Sequence, residues 1–189
     1  MVARSISEPR GERMADKLRA LVHYICHRMS DDPARLGLTK LNKILWYSDV
    51  WMYKKHGSSI TGEGTKYIKQ AWGPVAKSLQ RVLEDLHRKQ IVVGRRETSP
   101  GGAHMKFFSL KEPDLSDFSA DEIAIVDYVI HEVCYGNGSK SMRDLSNDFT
   151  WRMHEIGEEM PLYRSHAMEL GQVTDDDIAW ALQQEKEAV

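Results

Sequence analysis

The chain is poor in cysteine, with Cys26 and Cys134 as its only two in 189 residues. Both are flanked by apolar residues in helix-like patterns, so they do not form a disulfide framework and a reducing compartment is the simpler reading. A chain of this length buries roughly 70% of its unfolded surface, so it can fold without a disulfide or a metal. No run approaches the ~18 apolar residues of a membrane span. Residues 1–9 lack the apolar centre of a secretory signal, which points to the cytoplasm. Internal repeats and low-complexity tracts are missing too. So are the signatures of catalysis: serines are plentiful and there are 8 histidines, but no nucleophile-elbow motif occurs. Gly62-Glu63-Gly64 and Gly136-Asn137-Gly138 do not continue into a phosphate-binding pattern and read as turns. His23 and His27 share a helix face beside Cys26, but no second ligand pair follows, and a zinc site needs three or four protein ligands. Asp175-Asp176-Asp177 reads as the acidic start of a helix rather than a cation site. The expectation is a protein with no catalytic residues, no metal and no cofactor.

What the chain does have is charge, unevenly spread. Hydrophobic residues make up 41% and charged residues 29%, ordinary for a globular protein. The net charge of -2 divides into +4 over residues 1–65, +7 over 66–111 and -13 over 112–189. A basic middle and an acidic end steer partners without saying much about fold.

The dominant period is helical. Met14, Leu18, Val22, Ile25 and Met29 fall on one face of a helix over 12–29, stopped by Asp31-Asp32-Pro33. A second helix follows Thr39 as N-cap, carries Leu41, Ile44, Leu45, Ser48 and Met52 as its stripe, and ends at His56-Gly57. A third opens at Gly73-Pro74, since proline suits the first helical position, and buries Val75, Leu79, Val82, Leu83 and Leu86. Ile91–Val93 and Phe107–Leu110 are β-prone, and Thr98–Gly102 between them is turn chemistry, giving a hairpin over about 90–110 with a long tip. Ser119-Ala-Asp-Glu122 is a capping box, with Phe118 and Ile123 placed as its hydrophobic staple. Its helix runs to Gly136. Further helices are expected over about 140–153 (Leu145, Phe149, Met153) and from Thr174 through Leu182. The predicted fold is mainly α: five to six helices with one β-hairpin. A loose N-terminus covers 1–11, a single helical domain 12–155, and an acidic extension 156–189 packs on or beside it.

Two surfaces invite partners. Trp46, Tyr47, Trp51 and Tyr53 crowd the second helix, and Trp72 precedes Gly73. The helix already has an aliphatic stripe, so some aromatics face a neighbouring element or a partner; large aromatics are favoured anchors. Separately, Lys77, Arg81 and Arg88 along the third helix, with Arg95, Arg96 and Lys106 on the hairpin, outline a winged helix that could meet DNA phosphates. The local charge footprint comes without a base-reading motif, and this reading stands second.

Two segments carry a resemblance. Thr39-Lys40-Leu41-Asn42-Lys43-Ile44-Leu45-Trp46-Tyr47-Ser48-Asp49 resembles the "TKLqKLlYfa" helix of the Panacea domain, the family of SocA-like antitoxins. About 25 residues later, Ala71-Trp72-Gly73-Pro74-Val75 resembles its "A~~~GPV" element. The resemblance marks Lys40, Leu41, Lys43, Gly73, Pro74 and Val75 as structural motif residues. It implies a helical, cytoplasmic, non-catalytic module that neutralises a toxic protein encoded beside it, as in type II toxin–antitoxin systems and many prophages. Such a protein either masks the toxin's active surface or hands the toxin to a protease. The chain departs from the family after Leu145-Ser146: Asn147 stands where a His is frequent, and no proline accompanies Trp151.

Overall fold

In the computed structural model, residues 10–62, 64–99, 102–136 and 153–167 are described. The helix α2, Leu38–His56, lies at the centre. Its middle is buried without a break from Ile44 to Val50. A helix buried on every side must be surrounded, and α2 packs against α4 (Ala120–Cys134), the strand β2 (Gly73–Ala76), β4 (Gly102–Ser109), the short α5 (Leu162–Ala167) and α1 (Arg10–Arg28). This answers where the surplus aromatics go. Trp46 is 2% exposed and meets the Tyr67 ring edge-on at 5.0 Å.

The first helix forms as its period predicts, with Leu18, Val22, Ile25 and Met29 buried. Asp32-Pro33 ends that pattern and starts a single 3-10 turn, Pro33–Arg35. Helix α2 begins one residue before Thr39. Its N-cap is Gly37, extended as a cap residue should be (φ -110°, ψ 173°) but with no side chain to accept a first-turn N–H, so Thr39 is not the cap. Gly57 closes the helix at φ 70°, in the left-handed region glycine favours. The capping box of α4 is complete: the Ser119 hydroxyl accepts from the Glu122 N–H, and the Glu122 carboxylate accepts from the Ser119 N–H.

Three expectations need correction. The third helix does not start at Gly73-Pro74. It starts at Leu79 and ends at Arg88 (α3), while Gly73–Ala76 is a strand paired with β1, Tyr67–Gln70. Proline suits a first helical position, but it also suits a strand position whose N–H would point away from the ladder, and the second use is the one found here. The described residues therefore hold two hairpins rather than one. The second hairpin pairs β3 (Val92–Ser99) with β4, and its ladder runs out to Ser99 opposite Gly102, so the expected long tip is paired strand almost to its end. The helices expected over 140–153 and 174–182 fall on residues outside the described ones, apart from Met153, which is 63% exposed and no part of the core. Five α-helices are described, and none is long and apolar enough to cross a membrane.

Candidate functional site

The two sequence motifs meet in space at the β1–β2 hairpin. Its register sets Tyr67 opposite Ala76 and Gln70 opposite Gly73. The Lys77 N–H donates to the Lys66 carbonyl at 2.9 Å, so bonded pairs fall at positions 66, 68 and 70 of β1 and the backbone groups of Tyr67 and Lys69 point outward. Both edges are closed. On the β1 side, the Lys69 N–H donates to the Glu158 carbonyl (2.9 Å), and the N–H groups of Gly157 and Met160 donate to the carbonyls of Lys69 and Tyr67 (2.8 Å each). On the β2 side, the outward N–H of Ala76 donates to Asn42 Oδ1 on α2 at 3.1 Å, and Pro74 has no N–H to satisfy. Asn42 in turn donates from Nδ2 to the Leu38 carbonyl at 3.0 Å.

A buried polar cluster fixes the hairpin from beneath. Asp49, one helical heptad after Asn42 and so on the same face of α2, is fully buried. Its Oδ1 accepts the Thr61 N–H at 2.9 Å; its Oδ2 accepts the Tyr67 hydroxyl at 2.6 Å and the Thr61 hydroxyl. Burial pushes the Asp49 carboxyl above its usual range, against the pull of these donors, and the same burial pushes the Tyr67 phenol well up.

The turn of this clamped hairpin is Ala71-Trp72. Neither residue has a positive φ, so the mirror-image turns that usually join two strands are not used. Gly73 takes the reversal at φ 126°, with the Lys43 side chain 3.6 Å from where a Cβ would sit. The result is a Trp72 side chain that is 82% exposed. Bonding of Gly157 to Lys69 brings Ile156 to the same end of the hairpin; it is 68% exposed. At the opposite end, a cavity of about 400 Å³ opens among Tyr53, Ser58, Thr65, Lys66 and Tyr163. Glu159 also lines it, and Lys66 and Lys77 pair with that carboxyl and hold it below its ordinary range.

Of the five aromatics singled out as binding anchors, Trp46 and Tyr47 are core and cannot touch a partner in this fold; the elements around α2 cover them. Trp51 and Tyr53 are half-buried, Trp51 with its ring edge-on to Tyr128 at 4.9 Å. Trp72 alone among the five is exposed. The motif residues act as supports: Leu41 and Pro74 are buried, Lys40, Lys43, Gly73 and Val75 half-buried. Sequence reasoning passed over Asn42, Asp49, Thr61 and Tyr67. The available signal was two polar residues in the middle of an apolar helix, seven apart.

The winged-helix outline does not form, because a β-hairpin rather than a turn separates α2 from α3. Of its six basic residues, Lys77 pairs with Glu159, Arg88 with Asp85 and Lys106 with Glu97; Arg95 lies over the Phe108 ring at 5.4 Å; Arg81 and Arg96 are exposed. His23 Nε2 sits 2.9 Å from the Lys111 carbonyl and 3.0 Å from the Ser109 hydroxyl, and burial lowers its pKa.

A family model described as antitoxin SocA-like, Panacea domain, matches residues 41–152. That span starts on α2 and takes in both hairpins, α3 and α4. Neither a curated protein nor a solved structure matches the chain.

Proposed function

Because the chain belongs to the SocA-like Panacea antitoxin family, we propose that it binds and neutralises a toxic protein encoded beside it, using the Trp72 hairpin as contact. The observation that carries the proposal is a tryptophan exposed over 82% of its surface on a hairpin hydrogen-bonded along both edges, to Asn42 and to residues 157–160. Burying a large apolar ring against a partner is among the strongest single contributions to protein–protein affinity. A side chain held on a pre-set backbone loses little freedom on binding. Gly73 and Pro74 of the motif, with Asn42 beside them on α2, set the geometry, while Trp72 and Ile156 at the same end of the hairpin offer the apolar surface. Neutralisation is by binding, without catalysis and without a cofactor. It proceeds by covering the toxin or by presenting it to a protease.

Co-expression with the adjacent open reading frame tests this. The neighbour alone arrests growth, and this chain restores growth and co-purifies with it. Trp72→Ala should lower affinity for the toxin by about 2 kcal/mol, some thirtyfold, with folding stability within about 0.5 kcal/mol of the parent, as for an exposed substitution. A harmless neighbour, or a toxic one unaffected by this chain, would defeat the antitoxin reading. Full rescue by Trp72→Ala at unchanged affinity would remove the hairpin as the contact.

A further inference from the structure

The two hairpins are finished differently. Both edges of the β1–β2 pair are closed by Pro74, Asn42 and residues 157–160. In the longer hairpin, the Leu110 N–H donates to the Ile91 carbonyl at 2.8 Å. Counting along the register from that bond, the bonded pairs fall at 93, 95, 97 and 99 of β3, and the N–H and C=O groups of Gly94, Arg96 and Thr98 point away from β4. Among the described residues, none of these outward groups has a backbone partner. On the other strand, α1 and the 3-10 turn pack along β4, and Gly37 lies close to the Met105 carbonyl. α3 packs against β3, but Arg95, Arg96, Glu97 and Thr98 are all exposed, so among the described residues nothing covers the outer half of that strand. An open strand edge is a template for another strand, and proteins ordinarily close it.

We propose that the outer edge of β3, at Gly94, Arg96 and Thr98, is a second docking surface that takes an extended, carboxylate-bearing segment of a partner protein as an added strand. The hydrogen-bonding edge sets the extended conformation, because main-chain pairing accepts any sequence that can lie flat. Charge sets the chemistry. Glu97, the ribbon's one acidic residue, is taken by Lys106 at 2.6 Å. Arg96 is left without a carboxylate among the described residues, and Arg95 is held over the Phe108 ring at 5.4 Å rather than in an ion pair. A strand laid beside β3 therefore meets two guanidinium groups with no carboxylate of their own. Gly94 keeps the root of the ribbon close-packed: a Cβ there would come within 2.8 Å of the Met105 side chain. This surface is separate from Trp72 and does not depend on the partner being a toxin.

The test uses the full chain and synthetic peptides matched to the 8-residue length of β3. One alternates glutamate and valine, a second replaces glutamate by lysine, and a third is the acidic peptide N-methylated at alternate amides so that one edge cannot pair. The acidic peptide should bind, slow hydrogen exchange at the Arg96 and Thr98 amides, and lose at least about tenfold in affinity on N-methylation or on replacement of glutamate by lysine. Thr98→Pro deletes an outward N–H while sparing the ladder to β4, a place where an edge strand tolerates proline, and should weaken binding to the same extent. If that variant fails to fold, the N-methylated peptide still decides the matter. No binding by the acidic peptide overturns the proposal. Binding that survives N-methylation overturns it in favour of a simple charge patch, as would equal competition by an oligonucleotide. Self-association that Thr98→Pro abolishes would make the occupant a second copy and overturn it as well. None of these results bears on whether the chain neutralises a toxin.

Discussion

Removing the Asp49 carboxylate should be among the most damaging single changes on α2. In the parent it accepts three donors, the Thr61 N–H, the Thr61 hydroxyl and the Tyr67 hydroxyl, in a site with no exposure at Asp49 or Thr61. Asp49→Ala leaves all three without an acceptor and opens a small void. Each orphaned buried donor costs about 1–3 kcal/mol. The three belong to one network and their costs do not add fully, so the expected loss is about 3–5 kcal/mol. That is a large part of the roughly 5–15 kcal/mol that holds a domain together. Asp49→Asn keeps one acceptor oxygen and nearly the same volume, and should cost less than half as much. Urea unfolding followed by far-UV circular dichroism gives both numbers. The pH dependence separates this site from a generic packing defect. Burial raises the Asp49 pKa in the folded chain above its ordinary 3.8, so between those two values the folded state holds the proton that the unfolded state has lost. Stability from this group is then full below pH 3.8 and falls as pH rises through the folded pKa. Asp49→Asn should flatten that slope. If Asp49→Ala unfolds within about 0.5 kcal/mol of the parent, a change expected only of a surface site, the cluster does not fix the hairpin and the reasoning fails.

Gly73→Val should lower stability by about 1–3 kcal/mol, because a β-branched residue at φ 126° is strained; the nearest neighbour, Lys43, would sit at ordinary contact distance, so melting should report backbone strain rather than collision. Ser119→Ala breaks the capping box of α4 and should cost about 1 kcal/mol in the same unfolding assay; no change would mean the box is ornamental. Asp85 is bound by Lys89, Arg88 and Arg19, which hold its carboxyl at about 2. Its contribution is present above pH 3.8 and lost as pH falls towards 2, so Asp85→Asn should make the acid limb of stability shallower, an effect that salt also reduces.

Local rules explain what the sequence alone determined. The stripes of α1 and α4, the stop before Pro33, the capping box at Ser119 and the β-prone runs either side of residue 100 each depend on a few neighbours in the chain, and each appears where it was expected. The two family segments were legible as well: the family match takes in the first from Leu41 onward and the whole of the second. Tertiary structure decided what those segments are for. Gly73-Pro74 satisfies the rules for a helix start and for an edge strand equally, and only the presence of Tyr67–Gln70 as a pairing partner selects the strand. Trp46 and Trp72 are the same residue type in the same motif region, yet one is 2% exposed and the other 82%. No local signal separates them, because exposure depends on which distant elements surround α2. Asn42 and Asp49 carried no assigned role in the sequence; the fold gives them the backbone of Ala76 and the donors of Thr61 and Tyr67. A buried polar residue can be read only with its partner, and the partners here lie between 12 and 34 positions away along the chain.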